Sequence, residues 1–149
     1  MKLRLPGLLA VLALSAPAEE YRAVFDCSSN DPRYILSRIN LIEKTASMLE
    51  ARGDKALFAV TMHGGCIVAA AKDYEVMVPD DEVIYIQKSQ EVLARLAKER
   101  KVELVACAIA MEAHGIERED VLPFMRISEN SYIDTIGYQN RGYALMPLK

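Results

Sequence analysis

From residue 21 onward, short runs rich in β-branched and aromatic residues alternate with long stretches of helical period. Tyr21 to Asp26 (YRAVFD) suits a pleated strand. Asp31 and Pro32 then open a helix, an N-cap residue followed by proline in the first helical position. Ile35, Ile39, Ile42, Ala46 and Leu49 recur at intervals of four and three, the single buried stripe of a helix running to about Arg52. Gly53 stands where a C-cap glycine is expected. Ala56 to Met62 reads as a second strand, broken by His63-Gly64-Gly65, with a short helix over Ile67 to Lys72. Asp73 to Val78 fits neither period.

A long helix is expected after Pro79, ending near Lys101, then a third strand at Val102 to Ala106. A helical turn at Ile116 to Leu122 leads to a fourth strand at Phe124 to Ile127. Ser128 is placed to cap a helix through about Asn140, and Arg141-Gly142 turns into a fifth strand at Tyr143 to Met146. Strand and helix thus alternate about five times. That alternation predicts an α/β fold, one domain built on a five-stranded, mainly parallel sheet with helices on both faces. Strands with little polar alternation fit a sheet buried on both sides.

The first 18 residues stand apart. Lys2 and Arg4 precede an apolar run from Leu5 to Leu14, which closes on Ala16, Pro17 and Ala18. A basic start, a short apolar run and small residues two apart describe a secretory signal peptide. The run falls short of the roughly 20 residues needed to span a bilayer. The expected organisation is a leader over residues 1–18 and one domain over 19–149, placing the mature protein in the periplasm or outside the cell. Losing Lys2 and Arg4 with the leader takes the formal charge from −3 to −5. An acidic chain without a basic stretch argues against nucleic-acid binding, and no membrane association is expected after cleavage.

Three cysteines remain, Cys27, Cys66 and Cys107. An odd count leaves at least one thiol unpaired or paired elsewhere, in a compartment where free thiols tend to oxidise. Their positions carry more than their number. Cys27 follows strand one, Cys66 lies just past strand two, and Cys107 follows strand three. Ligands of open α/β sheets bind outside the carboxyl ends of the strands, so all three are expected at one sheet edge. His63 shares that edge, and His114 follows the segment after Cys107.

Each of these residues also has a plainer reading. Cysteine is a common core filler, Cys27 and Cys66 suit packing or a disulfide, His63 suits a glycine-rich turn, and His114 suits a helix end. Cys107 is the best candidate for chemistry. The thiolate is the nucleophile, and AIAMEAH after Cys107 can begin a helix whose N–H groups would stabilise a thiolate or persulfide anion. Glu112 would oppose that if it pointed inward.

The run CAIAMEAHGIEREDVLPFMRIS, followed by IDTIGYQNRGYALMP, resembles the C-terminal half of DsrE/DsrF-like proteins. Cys107, Gly115-Ile116, Gln139, Gly142-Tyr143 and Pro147 occupy the family's positions, and His63-Gly64 is similar to its turn after strand two. The resemblance spans most of residues 21–149. It implies a DsrE-like, flavodoxin-like three-layer fold and assembly into homotrimers or homohexamers. For the sulfur-relay branch it also implies that the cysteine after strand three, here Cys107, carries sulfane sulfur as a persulfide, with a sulfane donor and a thiol acceptor as partners. No cofactor is expected. The relay members work in the cytosol, and the export leader is a departure from them.

Three readings follow. The first is a sulfur carrier or sulfurtransferase working through Cys107. The second is a module binding a small ligand or a soft metal such as copper(I) or zinc, for which thiolates and imidazoles are suitable, although no Cys-x-x-Cys spacing is present. The third is an oligomeric structural or regulatory protein with no catalytic thiol, in which Cys27 and Cys66 form a disulfide and Cys107 is packing; that bridge is also compatible with the first reading.

Overall fold

The computed structural model describes residues 17–149. The expected leader lies outside them except for Pro17 and Ala18. The sheet has five parallel strands: β1 (Glu20–Cys27), β2 (Lys55–Met62), β3 (Glu103–Cys107), β4 (Arg126–Ser128) and β5 (Ala144–Leu148). Their spatial order is β4-β3-β2-β1-β5. The α-helices are α1 (Pro32–Ala51), α2 (Val83–Arg100), α3 (Ala108–His114) and α4 (Ser131–Asn140).

The expected stripe of α1 is its buried face, with Ile35, Ile39, Ile42, Ala46 and Leu49 all inside. Burying a side chain of this size contributes about 1.5–3 kcal/mol, so the stripe fixes the helix against the sheet. Asp31 caps it by accepting from the N–H groups of Arg33 and Tyr34. Gly53 follows the C-cap with φ +84°, a left-handed conformation that glycine adopts without a Cβ clash.

Some boundaries differ from expectation. The turn after β2 is a 3-10 helix over Gly64–Ala70 that starts three residues before the expected helix. It begins at the glycines because they pack against the β1–α1 loop. A Cβ on Gly65 would lie 1.9 Å from Asn30 Oδ1 and 2.7 Å from Asn30 Cα. The segment expected as a helical turn at 116–122 is a short 3-10 turn, Arg118–Asp120. Asn130, not Ser128, caps α4, because β4 extends through Ser128 and the Asn130 carboxamide accepts from the Tyr132 N–H.

The topology places a site before any side chain is considered. From β1 to β4 the chain steps outward one strand at a time, and α4 then carries it back to the free side of β1. Right-handed crossovers put the outward connections on one face and the returning helix on the other. Accordingly α1 packs on α2, while α4 contacts β1, β2, β3 and β5. The connection leaving β3 and the connection leaving β4 go to opposite faces, so the switch in strand order lies between β3 and β4, where open α/β sheets hold their ligands.

Candidate functional site at the carboxyl end of β3

Cys107 ends β3 at that switch, in register with Ser128 of β4. The Ser131 N–H, the first of α4, donates to Cys107 Sγ at 3.4 Å. Cys107 is only 4% exposed. It forms part of the wall of a cavity of about 280 Å3 together with His63, Gly64, His114, Asn130 and Ser131, with Tyr132 and apolar residues of α3 completing it.

The three cysteines do reach one sheet edge, but on opposite faces. Side chains alternate along a strand. Asp26 pairs with Thr61, and Thr61 with Val105, so Asp26, Thr61, Val105 and Cys107 share the face that α4 covers. Cys27 is one residue out of that phase and points the other way, toward the helix carrying Cys66. Cys27 and Cys66 form a disulfide with their Cα atoms 5.8 Å apart. Cys107 is left as the free thiol.

His63 lies at the same end. Its Nε2 is 3.1 Å from Asp26 Oδ1, and its ring meets Tyr132 edge-on with centroids 5.6 Å apart. The Asp26 carboxylate, through this hydrogen bond, holds the imidazole pKa above its ordinary value; burial opposes this, while the Asp26 charge and the nearby Cys107 add to it. Burial alone would raise Asp26, but the hydrogen bonds from His63 and Thr61 outweigh it and hold the carboxyl below its usual range. The two shifts favour the ion pair, in which Nε2–H donates to the Asp26 carboxylate.

Burial would likewise raise the Cys107 thiol. The Ser131 N–H, then the Ala110 and Ile109 N–H groups, outweigh it and hold the thiol below its ordinary value. Donors directed at the sulfur favour its anionic form. The Ser131 hydroxyl is 0% exposed and makes no regular hydrogen bond among the described residues. It is a buried donor without an acceptor in the wall of the cavity that Cys107 lines.

Asp26 and Cys107 are joined through the core by buried polar side chains. Thr61 Oγ1 donates to Asp26 at 2.7 Å and lies 3.4 Å from Thr135 Oγ1, which donates to the Ser131 carbonyl at 3.0 Å. Both threonine protons are committed, so the 3.4 Å contact fixes position rather than relaying a proton. Thr61, Thr135 and Ser131 are three of the four buried polar residues among the described residues, and such groups stay buried only when satisfied or put to use.

The expected site residues thus separate. Cys107, His63 and His114 line one cavity. Cys27 and Cys66 are taken up by the disulfide. His114 Nδ1 bonds the Ala110 carbonyl at 2.9 Å, its helix-end reading, while its ring still reaches the cavity wall. Glu112 is exposed and lines a different cavity. Among the described residues no group of three or more His, Cys, Asp or Glu side chains is arranged to hold a metal ion. Asp26, Thr61, Ser131, Tyr132 and Thr135 were not expected at the site. Asp26 left one trace in the sequence, as an acid inside an otherwise apolar strand ending.

Comparisons with known proteins agree with this fold. An uncharacterised protein of Aquifex aeolicus (strain VF5) is 36% identical over 140 residues, covering 94% of this chain and 61% of that protein. The chain therefore spans about three-fifths of the length of that curated relative. Two solved structures share the fold. The protein of unknown function MTH1491 from Methanobacterium thermoautotrophicum has a TM-score of 0.67 at 18% identity, covering 85% of this chain and 98% of its own. The ychN protein from E. coli has a TM-score of 0.52 at 11% identity, covering 88% and 99%. The DsrE/DsrF-like family matches residues 22–148, which take in every element of the site; the chain belongs to that family.

Proposed function

We propose that the protein carries sulfane sulfur as a persulfide on Cys107, within a family that includes sulfur-relay proteins. The observation that carries this reading is the setting of the free thiol: at the topological switch point, open to a cavity, with the Ser131 N–H on its sulfur. The chemistry needs no cofactor. The Cys107 thiolate attacks the outer sulfur of a donor R–S–S⁻. A Cys107 S–S bond forms, the donor S–S bond breaks, and its electron pair leaves on RS⁻. Attack on the outer sulfur by an acceptor thiolate then returns Cys107 to the thiolate. Both steps conserve electrons, and N–H groups beside the sulfur stabilise the anion in each state.

The disulfide favours this reading over a metal-binding one, since it removes two of the three thiolates a soft metal would use. It also supports placement in an oxidising compartment, and so cleavage of residues 1–18 on export. N-terminal sequencing of protein recovered from the periplasm or medium tests this; an intact Met1 start in the cytosolic fraction would contradict it. Assembly as a homotrimer or homohexamer, which the family likeness implies, is supported by Tyr132, Ile133 and Ile136 of α4, which are 61%, 67% and 58% exposed. Light scattering should give three or six times the protomer mass. Loading of sulfur onto Cys107 from polysulfide, and its loss in Cys107→Ala, tests the central reading.

A further inference from the structure

We infer that the cavity at Cys107 takes its sulfur from a small S-sulfonate anion of the thiosulfate class, whose sulfonate oxygens are held by the Ser131 hydroxyl and the His63 ring. The inference rests on Cys107 being the sulfur acceptor and adds the identity of what it accepts from.

Size is the first argument. The cavity has a volume of about 280 Å3. That is below the usual range of pockets for drug-sized ligands and is ample for a five-atom ion beside the thiol.

Charge is the second argument. No carboxylate is among the lining residues described, whereas two histidines are. Asp26 holds His63 from outside that lining, so the cavity is lined by the His63 ring and not by the carboxylate. The amino end of the ten-residue helix α4 also faces this space, the end that favours an anion.

The Ser131 hydroxyl is the third argument, and it is independent of the helix. It is fully buried, belongs to the cavity wall, and makes no regular hydrogen bond among the described residues. A buried donor without an acceptor is costly unless a ligand supplies one. Sulfonate oxygen is a stronger acceptor than a sulfane sulfur, and this favours an S-sulfonate over a plain polysulfide.

The step balances. Cys107 thiolate attacks the outer sulfur of S–SO3²⁻ and forms a new S–S bond. The bond from that sulfur to the sulfonate sulfur breaks, and its electron pair departs on sulfite. Cys107 is left as Cys–S–S⁻, total charge is unchanged, and no oxidant or reductant enters.

Binding can be separated from transfer by titrating Cys107→Ala, which cannot react, with thiosulfate in a calorimeter at low salt. The expected result is saturable binding, competed by sulfate, and weakened about tenfold by adding Ser131→Ala, the loss of one hydrogen bond to a charged group. Wild-type protein should release sulfite from thiosulfate with a rate that saturates, a readout that holds even if either variant folds poorly. No binding to Cys107→Ala, together with sulfite release that is absent or strictly linear in thiosulfate, would overturn the inference. Wild-type protein that loads sulfur from polysulfide but not from thiosulfate would overturn it and leave the persulfide reading standing. Thiosulfate binding without sulfur transfer from any donor would instead overturn the persulfide reading and keep the anion site.

Discussion

Ser131 donates its backbone N–H to Cys107 Sγ across 3.4 Å, joining the first residue of α4 to the last residue of β3. The contact exists because the connections leaving β3 and β4 go to opposite faces and open a crevice between them. Around it stand the other groups that favour an anion on the sulfur: the Ala110 and Ile109 N–H groups, and the His63 ring held by Asp26.

The thiol should titrate early. With its donors outweighing burial, Cys107 should be alkylated by iodoacetamide with a midpoint below the ordinary 9.0. Asp26→Asn lets the His63 pKa fall, and His63→Gln removes the cation, so both should move the midpoint upward. Rates of alkylation followed against pH check this; a wild-type midpoint at or above the ordinary value would contradict it.

Stability should depend on pH through Asp26 and His63. The His63 pKa is raised on folding, so its contribution is full below the ordinary 6.5 and is lost as pH climbs through the raised value. The Asp26 pKa is lowered, so its contribution is full above the ordinary 3.8 and is lost as pH falls through the folded value. Both describe one interaction, strongest between about 3.8 and 6.5. Asp26→Asn should therefore cost on the order of 1 kcal/mol at pH 5.5, since the hydrogen bond is weakened and loses its charge. The difference in urea midpoints should shrink at alkaline pH; a constant difference from pH 5 to 10 would show that the pair is not the cause.

The disulfide should be structural. It closes a loop of 39 residues, and tying such a loop restricts the unfolded chain by about 2–4 kcal/mol. Replacing both Cys27 and Cys66 by alanine should lower stability by that amount in urea titrations. Cys107 lies on the other face of the sheet, so the double variant should still take up sulfur. Loss of uptake in a folded double variant would place the disulfide in the chemistry.

Gly65 should not tolerate a side chain. Its Cβ would strike the backbone and carboxamide of Asn30, so Gly65→Ala should cost about 1–3 kcal/mol through forced backbone shifts. The shift should reach His63, two residues away, and slow alkylation of Cys107. Unchanged thermal stability would mean the loop yields freely.

The α1 stripe, the strand runs and the placement of cysteines at strand ends were all legible along the chain, because period and turn chemistry are local. Which face each cysteine takes was not. The parity that sends Cys27 toward Cys66 and Cys107 toward α4 depends on the pairing of Asp26 with Thr61 and of Thr61 with Val105, contacts between distant segments. Ser131 was hidden for the same reason. Its role comes from β4 running through Ser128, which moves the cap of α4 to Asn130 and brings the next residue onto the thiol.

The most direct test of the account is intact mass and peptide mapping of the protein before and after polysulfide, with and without reductant. The account predicts a reductant-sensitive gain of one or more sulfur atoms on the peptide holding Cys107, with Cys27 and Cys66 recovered as a linked pair. An unmodified Cys107 in folded protein that iodoacetamide still reaches would contradict it.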